Sequence, residues 1–321
     1  MMKNYVYITR KLPDEVVEPL TNMFDVGMWD YAEKPVERDI LLKEAARADA
    51  LVTVLSDQVD YELLSKGSNL KVVANMAVGF DNVDINSAAD LGIQVTNTPD
   101  VLTDTTADLT FALLMAAGRR MMEASEYIKQ GKWKNWSPLF LAGTDIHHKS
   151  IGIVGMGRIG EAVARRARGF EMNILYHNRN RKPEVEQELD ARYCSFNELL
   201  ATADYVVCLA PYTKETEKLF NKEAFNGMKP SGIFINASRG QLVDEEALYQ
   251  ALVNKEIQAA GLDVFENEPI SPDHPLLELE QVVCLPHIGS ASKETRYKMM
   301  GLCIDNVIAV LQGKKAVTPV N

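Results

Sequence analysis

Three segments of the chain place polar side chains of chemically useful types directly after an apolar run. Arg239 follows "GIFINAS", Asp263 and Glu268 follow "AAGL", and His287 follows "VVCLP". An arginine can hold an anion, and a histidine beside a carboxylate can move a proton near neutral pH. Taken singly, an arginine after a strand is usually a surface residue, and a glutamate before proline is a common turn. In open α/β sheets, however, ligands bind beyond the carboxyl ends of strands, so we expect these groups to converge there.

A glycine-rich turn precedes these segments. "IGIVGMGRIGEAVARRARGF" contains Gly155, Gly157 and Gly160 in G-x-G-x-x-G spacing. The motif follows an apolar strand, opens a helix and is succeeded by the strand "NILYHN", which is the context that dinucleotide binding requires. The three glycines permit a tight turn, close approach of a pyrophosphate, and packing of the helix on the strand. The helix N-terminus then presents N–H groups to the anion. The alternative is an ordinary strand–helix turn.

The segment "HNRNRKPE" stands where a dinucleotide-binding unit usually carries an acidic residue for the ribose hydroxyls of NAD. No carboxylate lies between Asn178 and Pro183, and Arg179, Arg181 and Lys182 are cationic. Arginine side chains match phosphate oxygens well. The segment therefore predicts that NADP(H) is preferred, with NAD(H) possible and Asn178 as a neutral neighbour. The alternative is a solvated basic loop.

Alternating strand and helix patterns surround these motifs and predict parallel sheets covered by helices on both faces. Strands are predicted at Tyr5–Thr9, Ala50–Leu55, Lys71–Met76 and Ile93–Asn97, and again throughout 151–287. One long helix is predicted over Thr103–Gly131. A final helix after Ser292 is expected to return to the first domain. The predicted domains are 1–101 plus 291–321 for substrate binding, and 102–290 for dinucleotide binding.

Composition restricts the classes of protein further. The formal net charge of −11 argues against a nucleic-acid partner, which would demand a basic face. No apolar run reaches the roughly 18 residues of a membrane span, and the start of the chain lacks the apolar core of a signal peptide. The cysteine spacing indicates reduced thiols, and no set of metal ligands accompanies the histidines. We expect a cytoplasmic protein with no metal and no membrane partner.

The combined motifs resemble those of the D-isomer-specific 2-hydroxyacid dehydrogenases over nearly the whole chain. They are "NMAVGFDNVD", "GIVGMGRIG", "INASRGQLVDEEAL", "GLDVFENEP" and "LPHIGSAS". The resemblance implies an α/β fold of two doubly wound domains: a Rossmann dinucleotide-binding domain and a discontinuous flavodoxin-like substrate domain. The arginine pattern most resembles the glyoxylate/hydroxypyruvate reductases and the 2-ketogluconate reductases.

The resemblance also implies catalytic roles that agree with the chemistry of the side chains. Arg239 is expected to grip the 2-oxo acid through its carboxylate and carbonyl oxygens. His287 is expected to protonate the carbonyl oxygen as hydride arrives from the nicotinamide. Glu268 is expected to bond the other ring nitrogen of His287, which fixes the tautomer and favours the protonated ring.

Further contacts follow from the same resemblance. The backbone N–H groups of Val78 and Gly79 are expected to bind the substrate carboxylate, although Gly79 could instead serve only as a turn. Trp136 is expected to reach the active site of a partner subunit in a homodimer, the alternative being an ordinary core or interface tryptophan. The remaining expected cofactor contacts are Thr106, Arg158, Ile159, Pro211, Thr216, Ala237, Ser238, Asp263, His287 and Gly289.

The expected function is NADPH-preferring reduction of a small 2-oxo acid, glyoxylate or hydroxypyruvate, to the D-2-hydroxy acid. Reduction of 2-ketogluconate is the nearest enzymatic alternative. An NAD-linked D-lactate or phosphoglycerate dehydrogenase fits less well, because the first usually carries the missing acidic residue and the second often carries an added regulatory domain. A dinucleotide-sensing corepressor is the alternative from another class, since such relatives retain the Arg–Glu–His set.

Overall fold

The structure is a computed structural model that describes residues 3–321. It divides into two compact units, Met1–Leu102 with Ala291–Asn321, and Thr103–Ser290. Both units are α/β, as the alternation of strand and helix patterns predicted. None of the helices within the described residues combines the length and apolar character needed to cross a membrane.

The first unit is built on a five-stranded parallel sheet with strand order β2-β1-β3-β4-β5. This order, with a reversal beside the first strand, is the flavodoxin-like doubly wound arrangement. Each central strand is buried on both faces, which explains its continuous apolar sequence. The strands are β1 Tyr5–Ile8, β2 Asp25–Met28, β3 Ala50–Thr53, β4 Val72–Asn75 and β5 Gln94–Thr96.

Four helices connect these strands: α1 Asp14–Thr21, α2 Arg38–Ala45, α3 Tyr61–Lys66 and α4 Ile85–Asp90. The side chains of Asp60 and Asp84 cap α3 and α4 by accepting hydrogen bonds from the N–H groups of Leu63 and Ser87.

The strands predicted for this unit are confirmed within a residue or two at each end. Strand β2 and helix α2 lie in a stretch whose mixed polarity gave no clear prediction.

The second unit contains a seven-stranded parallel sheet with order β12-β11-β10-β9-β6-β7-β8. Six of these strands follow the Rossmann order, and β12 extends one edge. The strands are β6 Ser150–Val154, β7 Asn173–His177, β8 Arg192–Tyr193, β9 Tyr205–Cys208, β10 Ile233–Asn236, β11 Ala259–Leu262 and β12 Val282–Cys284.

Helices cover both faces of this second sheet and enclose two apolar cores. One core contains Leu114, Ile153 and Val163, and the other contains Phe220, Phe234 and Leu248. The helices are α5 Thr103–Gly118, α6 Met121–Lys129, α7 Arg158–Arg168, α8 Pro183–Leu189, α9 Phe196–Thr202, α10 Lys222–Asn226 and α11 Glu245–Val253. Two short 3₁₀ turns lie at Gly240–Leu242 and Pro275–Glu278.

The prediction of one long helix over Thr103–Gly131 is wrong, because the chain breaks between α5 and α6. Arg120 adopts a left-handed conformation with φ of 51°. The carbonyl of Gly118 accepts the N–H of Thr144 at 2.7 Å instead of an N–H group of the same helix. Arg120 in turn donates twice to Glu123, at 2.8 and 2.6 Å. A tertiary hydrogen bond from a distant loop thus ends the helix, and local periodicity carried no sign of it.

The final helix α12, Lys293–Leu311, belongs to the first unit, where it packs against α1, β3 and β4. The hydroxyl of Ser292 caps it by accepting the N–H of Thr295 at 3.2 Å. Residues beyond the helix pair with β5, since Val320 donates its N–H to the carbonyl of Val95 at 2.9 Å. The helix expected after Ser292 is confirmed, and it makes the first unit discontinuous in sequence.

Candidate active site

The register of the second sheet brings the three polar segments to one edge. Asn236, Leu262 and Cys284 are the last residues of β10, β11 and β12, and they lie opposite one another in adjacent parallel strands. The segments that carry Arg239, Glu268 and His287 all leave the sheet from these positions. Convergence of the three groups at the carboxyl edge therefore follows from strand register.

His287 and Glu268 form a hydrogen-bonded pair. The Nδ1 atom of His287 lies 2.7 Å from Oε2 of Glu268, and the side chains keep 24% and 29% of their surface exposed. The other carboxylate oxygen of Glu268 accepts the N–H of Phe265 at 3.0 Å. With Nδ1 committed to the carboxylate, Nε2 is the ring nitrogen that can exchange a proton with a bound molecule.

The electrostatic environment keeps Glu268 ionised. Burial acts to raise the pKa of its carboxyl group, but several interactions together outweigh that effect. The pKa lies below its usual value because His287 contributes a hydrogen bond and a charge, Phe265 donates its N–H, and Arg239 adds a positive charge. Because the pKa is lowered in the folded protein, Glu268 is fully ionised at any pH above the usual pKa of a glutamate. It is protonated only when the pH falls through the lowered pKa.

Asp263 holds the loop that presents His287. The main-chain N–H of His287 donates to the carbonyl of Asp263 at 2.9 Å, and the N–H groups of Ile288 and Gly289 donate to its two carboxylate oxygens at 2.8 Å each. These bonds retain His287 at a φ of 52°, a left-handed conformation that is unfavourable for residues other than glycine. Burial raises the pKa of Asp263, against the lowering effect of these N–H groups and of His287.

The turn that carries Arg239 is fixed by the side chains of Asn236 and Ser238. The buried amide of Asn236 donates to the carbonyl of Arg239 at 2.9 Å, and its amide oxygen accepts the N–H of Ser238 at 3.1 Å. The hydroxyl of Ser238 donates to the carbonyl of Ala210, and the Nη1 atom of Arg239 donates to the carbonyl of Ser238 at 2.9 Å. The turn containing Ala237, Ser238 and Arg239 is thus fixed to the end of β9 as well as β10.

The glycine-rich turn satisfies the three requirements inferred from its spacing. Gly155 has a φ of 102°, and an added Cβ would lie 2.4 Å from the N atom of Ala210. A Cβ on Gly160 would lie 2.4 Å from the carbonyl oxygen of Gly155. A Cβ on Gly157, by contrast, would meet no protein atom within 4 Å. The backbone at Gly157 therefore faces open space, as approach of a pyrophosphate requires.

Helix α7 begins immediately after Gly157, with Arg158 and Ile159 in its first turn. Gly157 is its N-cap and provides no side chain to satisfy the first N–H groups. Unsatisfied N–H groups and the positive end of the helix dipole form a site for a phosphate group. These residues fit the pyrophosphate of a dinucleotide.

Asn178 belongs structurally to the glycine turn. Its amide oxygen accepts the N–H of Met156 at 2.7 Å. Arg179, the next residue, is exposed and forms no ion pair within residues 3–321. The charge of Arg179 contributes to a lowered pKa of Glu215, although the hydrogen bond from Thr213 contributes more. Arg179 is therefore a solvent-facing cation beside the glycine turn.

The other two cations of the loop are already paired with carboxylates. Arg181 donates to both oxygens of Glu186, at 3.0 and 2.5 Å, and this contact lowers the pKa of Glu186 to about 2. The Nζ atom of Lys182 donates to Oε1 of Glu161 at 2.5 Å. The three cations, which the sequence presented as equivalent, thus differ in the charge available to a ligand.

The remaining expected cofactor residues lie along the same edge of the second unit. The hydroxyl of Thr216 donates to the carbonyl of Pro211 at 2.8 Å, which closes the loop after β9. Thr106, in the first turn of α5, is buried, and its side chain would lie 3.3 Å from a Cβ built on Gly289. α5 therefore packs directly on the turn that follows His287.

Val78 and Gly79 belong to the first unit, in the turn after β4. The amide of Asn97 donates to the carbonyl of Val78 at 2.8 Å, and the amide of Asn75 donates to the carbonyl of Gly79 at 3.1 Å. Asn75 is fully buried, so this turn is held from inside its own unit.

Trp136 is an exposed residue of the second unit. It lies after α6, and 73% of its surface is exposed. Other apolar side chains of α6 and the following segment are also exposed, among them Met122, Trp133 and Leu139. Trp136 is therefore one of several exposed apolar side chains in this stretch of the chain.

Sequence patterns did not identify the residues that support the site. Asn236, Gln241 and Glu245 all form hydrogen bonds with the backbone of the segments that carry Arg239 and Glu268. The one available signal was a polar residue inside an apolar strand, as Asn236 is in "GIFIN", because a buried amide must find partners.

The Rossmann unit, the open glycine turn and the edge of arginine, histidine and carboxylates define an NAD(P)-dependent oxidoreductase. The sequence profile of the "D-isomer specific 2-hydroxyacid dehydrogenase, NAD binding domain" matches residues 111–289. The chain belongs to the D-isomer-specific 2-hydroxyacid dehydrogenase family, whose members interconvert 2-oxo and 2-hydroxy acids, and the resemblance inferred from its motifs is confirmed.

Individual relatives match over nearly their full length. A glyoxylate reductase of Thermococcus onnurineus is 47% identical over 324 residues, covering 100% of this chain and 96% of the relative. A solved structure from Thermus thermophilus has a TM-score of 0.93 at 42% identity and covers 99% and 100% of the two chains. The NADPH-dependent glyoxylate/hydroxypyruvate reductase of Sinorhizobium meliloti, in complex with NADP and malonate, has a TM-score of 0.86 at 35% identity over 99% and 97%.

Gly157→Ala and Gly160→Ala are expected to separate dinucleotide binding from folding. The added methyl of Gly157→Ala enters the space of the pyrophosphate, so we expect the Kd for NADPH to rise about tenfold or more with an unchanged Tm. Gly160→Ala should lower the Tm, because its methyl meets the carbonyl of Gly155. Fluorescence titration and thermal unfolding measure both quantities. Equal NADPH affinity in Gly157→Ala and the parent protein would refute this placement of the pyrophosphate.

Proposed function

We propose that the protein reduces glyoxylate to glycolate and hydroxypyruvate to D-glycerate, with NADPH preferred over NADH. The observation that carries the proposal is the pairing of His287 with Glu268 at 2.7 Å on the sheet edge that also carries Arg239 and the glycine turn. The substrate is inferred from the relatives, since glyoxylate reductases at 44–47% identity match 98–100% of the chain. Activity on 2-ketogluconate alone would replace this substrate assignment.

His287 is proposed to supply the proton. Its Nε2 atom points away from Glu268 and donates to the carbonyl oxygen of the 2-oxo acid as that oxygen gains negative charge. Glu268 stabilises the protonated ring and fixes its orientation through Nδ1. The nicotinamide of the bound cofactor supplies the hydride. In the reverse direction the neutral ring accepts the hydroxyl proton.

Arg239 is proposed to bind the substrate. Its guanidinium can donate in parallel to the carboxylate and the carbonyl oxygen, which orients the carbonyl carbon for hydride transfer. We propose further that 1–101 with 291–321 forms a substrate-binding domain, and 102–290 the dinucleotide-binding domain. In the first of these, the N–H groups of Val78 and Gly79 would hold the substrate carboxylate.

The preference for NADPH is proposed to depend mainly on Arg179. Arg179 is the exposed cation beside the glycine turn, whereas Arg181 and Lys182 are paired with Glu186 and Glu161. An unpaired guanidinium offers its full charge to the 2′-phosphate, while the two paired cations contribute a weaker surrounding potential. No carboxylate of the loop between Asn178 and Pro183 repels that phosphate.

Arg179→Ala should abolish the cofactor preference. We expect the parent protein to favour NADPH over NADH at least about tenfold in kcat/KM for hydroxypyruvate, equivalent to ~1.4 kcal/mol. Arg179→Ala should reduce that ratio to about unity by weakening NADPH alone. Arg181→Ala serves as the matched control and should retain most of the preference. A parent protein that uses both cofactors equally would show that this basic loop is simply solvated.

Glu268→Gln should alter the pH dependence of reduction. The amide cannot stabilise a protonated His287, so we expect kcat at neutral pH to fall about tenfold or more and the alkaline limb of the rate profile to move to lower pH. Because the pKa of Glu268 is lowered, the parent protein should keep its Glu268–His287 pair through the mildly acidic range. An unchanged profile in Glu268→Gln would contradict the proposed proton donor.

We propose that two copies of the chain form a dimer through exposed apolar side chains of α6 and of the segment that follows it. Met121, Met122 and Ile128 expose 52%, 53% and 61% of their surfaces, and Trp133 exposes 58%. Several large exposed apolar side chains within one stretch of chain are typical of an interaction surface. Trp136, which lies in the same stretch of chain, would then reach the active site of the second copy.

Sedimentation velocity and kinetics test the dimer together. We expect a dimer at micromolar concentration, and we expect Trp136→Ala to lower kcat/KM for hydroxypyruvate about tenfold while the mass stays dimeric. Trp133→Ala is the matched control and should change kcat/KM much less. A monomeric parent protein with full activity would exclude the contribution of a partner subunit.

A further inference from the structure

Two side chains of one neighbouring segment bind the backbone N–H and the backbone carbonyl of Glu266. A carboxylate oxygen of Glu245 accepts its N–H at 2.8 Å, and the Nε2 atom of Gln241 donates to its carbonyl at 3.0 Å. Between these two contacts the backbones almost touch, because a Cβ on Gly240 would lie 1.8 Å from the carbonyl carbon of Phe265. Segments 240–245 and 265–266 are thus joined by both polar contacts and backbone packing.

Each of these segments continues directly into a functional group of the proposed site. Arg239 immediately precedes Gly240, and Glu268 lies two residues beyond Glu266. The carboxylate of Glu268 also accepts the N–H of Phe265 at 3.0 Å, so its orientation depends on the same stretch of backbone. The backbone of Glu266 therefore connects the segment that carries Arg239 to the segment that carries Glu268.

Glu245 is itself held in place. Its second carboxylate oxygen lies 3.2 Å from Nε2 of His274, and only 13% and 25% of these two side chains are exposed. The Nδ1 atom of His274 accepts the N–H of Leu276 at 3.4 Å, which leaves the ring proton on Nε2 to be donated to Glu245. Glu245 also occupies the first turn of α11, where the helix dipole stabilises a carboxylate.

We propose that Glu245, oriented by His274 and assisted by Gln241, is a positioning residue that sets the spacing between Arg239 and the Glu268–His287 pair. It touches neither substrate nor cofactor and acts only through the backbone N–H of Glu266. This inference rests on the proposed function, because the spacing matters only if Arg239 and His287 act on one molecule. Loss of the Glu245 carboxylate leaves the N–H of Glu266 without its acceptor and frees the segment that carries Glu268.

The test compares Glu245→Ala, Glu245→Gln and the control Glu246→Ala. Glu246 is the adjacent exposed residue, and within residues 3–321 its carboxylate accepts only from Gln250. Glu245→Ala is expected to lower kcat for hydroxypyruvate about tenfold or more, with a smaller change in KM and an altered pH profile. The amide oxygen of Glu245→Gln can still accept the N–H of Glu266, so this variant should recover most of the rate. Glu246→Ala should match the parent protein.

A second readout does not depend on turnover. In ¹⁵N-histidine NMR spectra, with the His287 signals assigned from His287→Asn, Glu245→Ala should shift the imidazole signals of His287 and Glu245→Gln should not. A parent protein that fails to reduce any 2-oxo acid would refute the proposed function, and the spectra would still decide the role of Glu245. Unchanged spectra and kinetics in Glu245→Ala, or equal loss of NADPH affinity and Tm in both Glu245 variants, would overturn the inference.

Discussion

The hydrogen bonds that Asp263 accepts from the turn after β12 are the constraint on which the proposed site depends. One buried carboxylate and one carbonyl accept the N–H groups of three consecutive residues, and they hold His287 in a left-handed conformation. Such a conformation costs of the order of 1 kcal/mol or more for a residue with a side chain. The cost is offset because Asp263 follows β11 directly, so the turn is tied to the adjacent strand of the sheet.

The sheet supplies the positions, and a small set of polar side chains supplies the orientations. In-register parallel strands deliver Arg239, Asp263 and His287 to one edge within the second unit. Asn236 then fixes the turn of Arg239, while Glu245 and Gln241 fix the segment that leads to Glu268. Functional groups on loops become well oriented only when such bonds remove the conformational freedom of the loops.

The basic loop after β7 shows how charge in a sequence differs from charge available to a ligand. The sequence offers three cations in four positions, and the fold pairs two of them with Glu161 and Glu186. Both carboxylates lie on helices that pack beside the loop, and Glu161 precedes it by some twenty residues. Composition therefore indicated the sign of the local potential, while tertiary contacts decided which cation carries it.

The sequence alone determined the doubly wound α/β class, the glycine turn and the Arg–Glu–His set, because each rests on local patterns of strand, turn and helix that tertiary contacts did not override. It also revealed the family, through motifs that place the proposed catalytic residues shortly after the ends of strands. Only the tertiary structure decided where α5 ends. The N–H of Thr144 binds the carbonyl of Gly118, and because these residues are far apart in sequence, the local pattern of apolar residues could not predict this bond. The same holds for Glu245 and His274, whose contact joins a helix start to a distant turn. Pairing of buried polar groups is a property of three-dimensional proximity, so it became visible only in the fold.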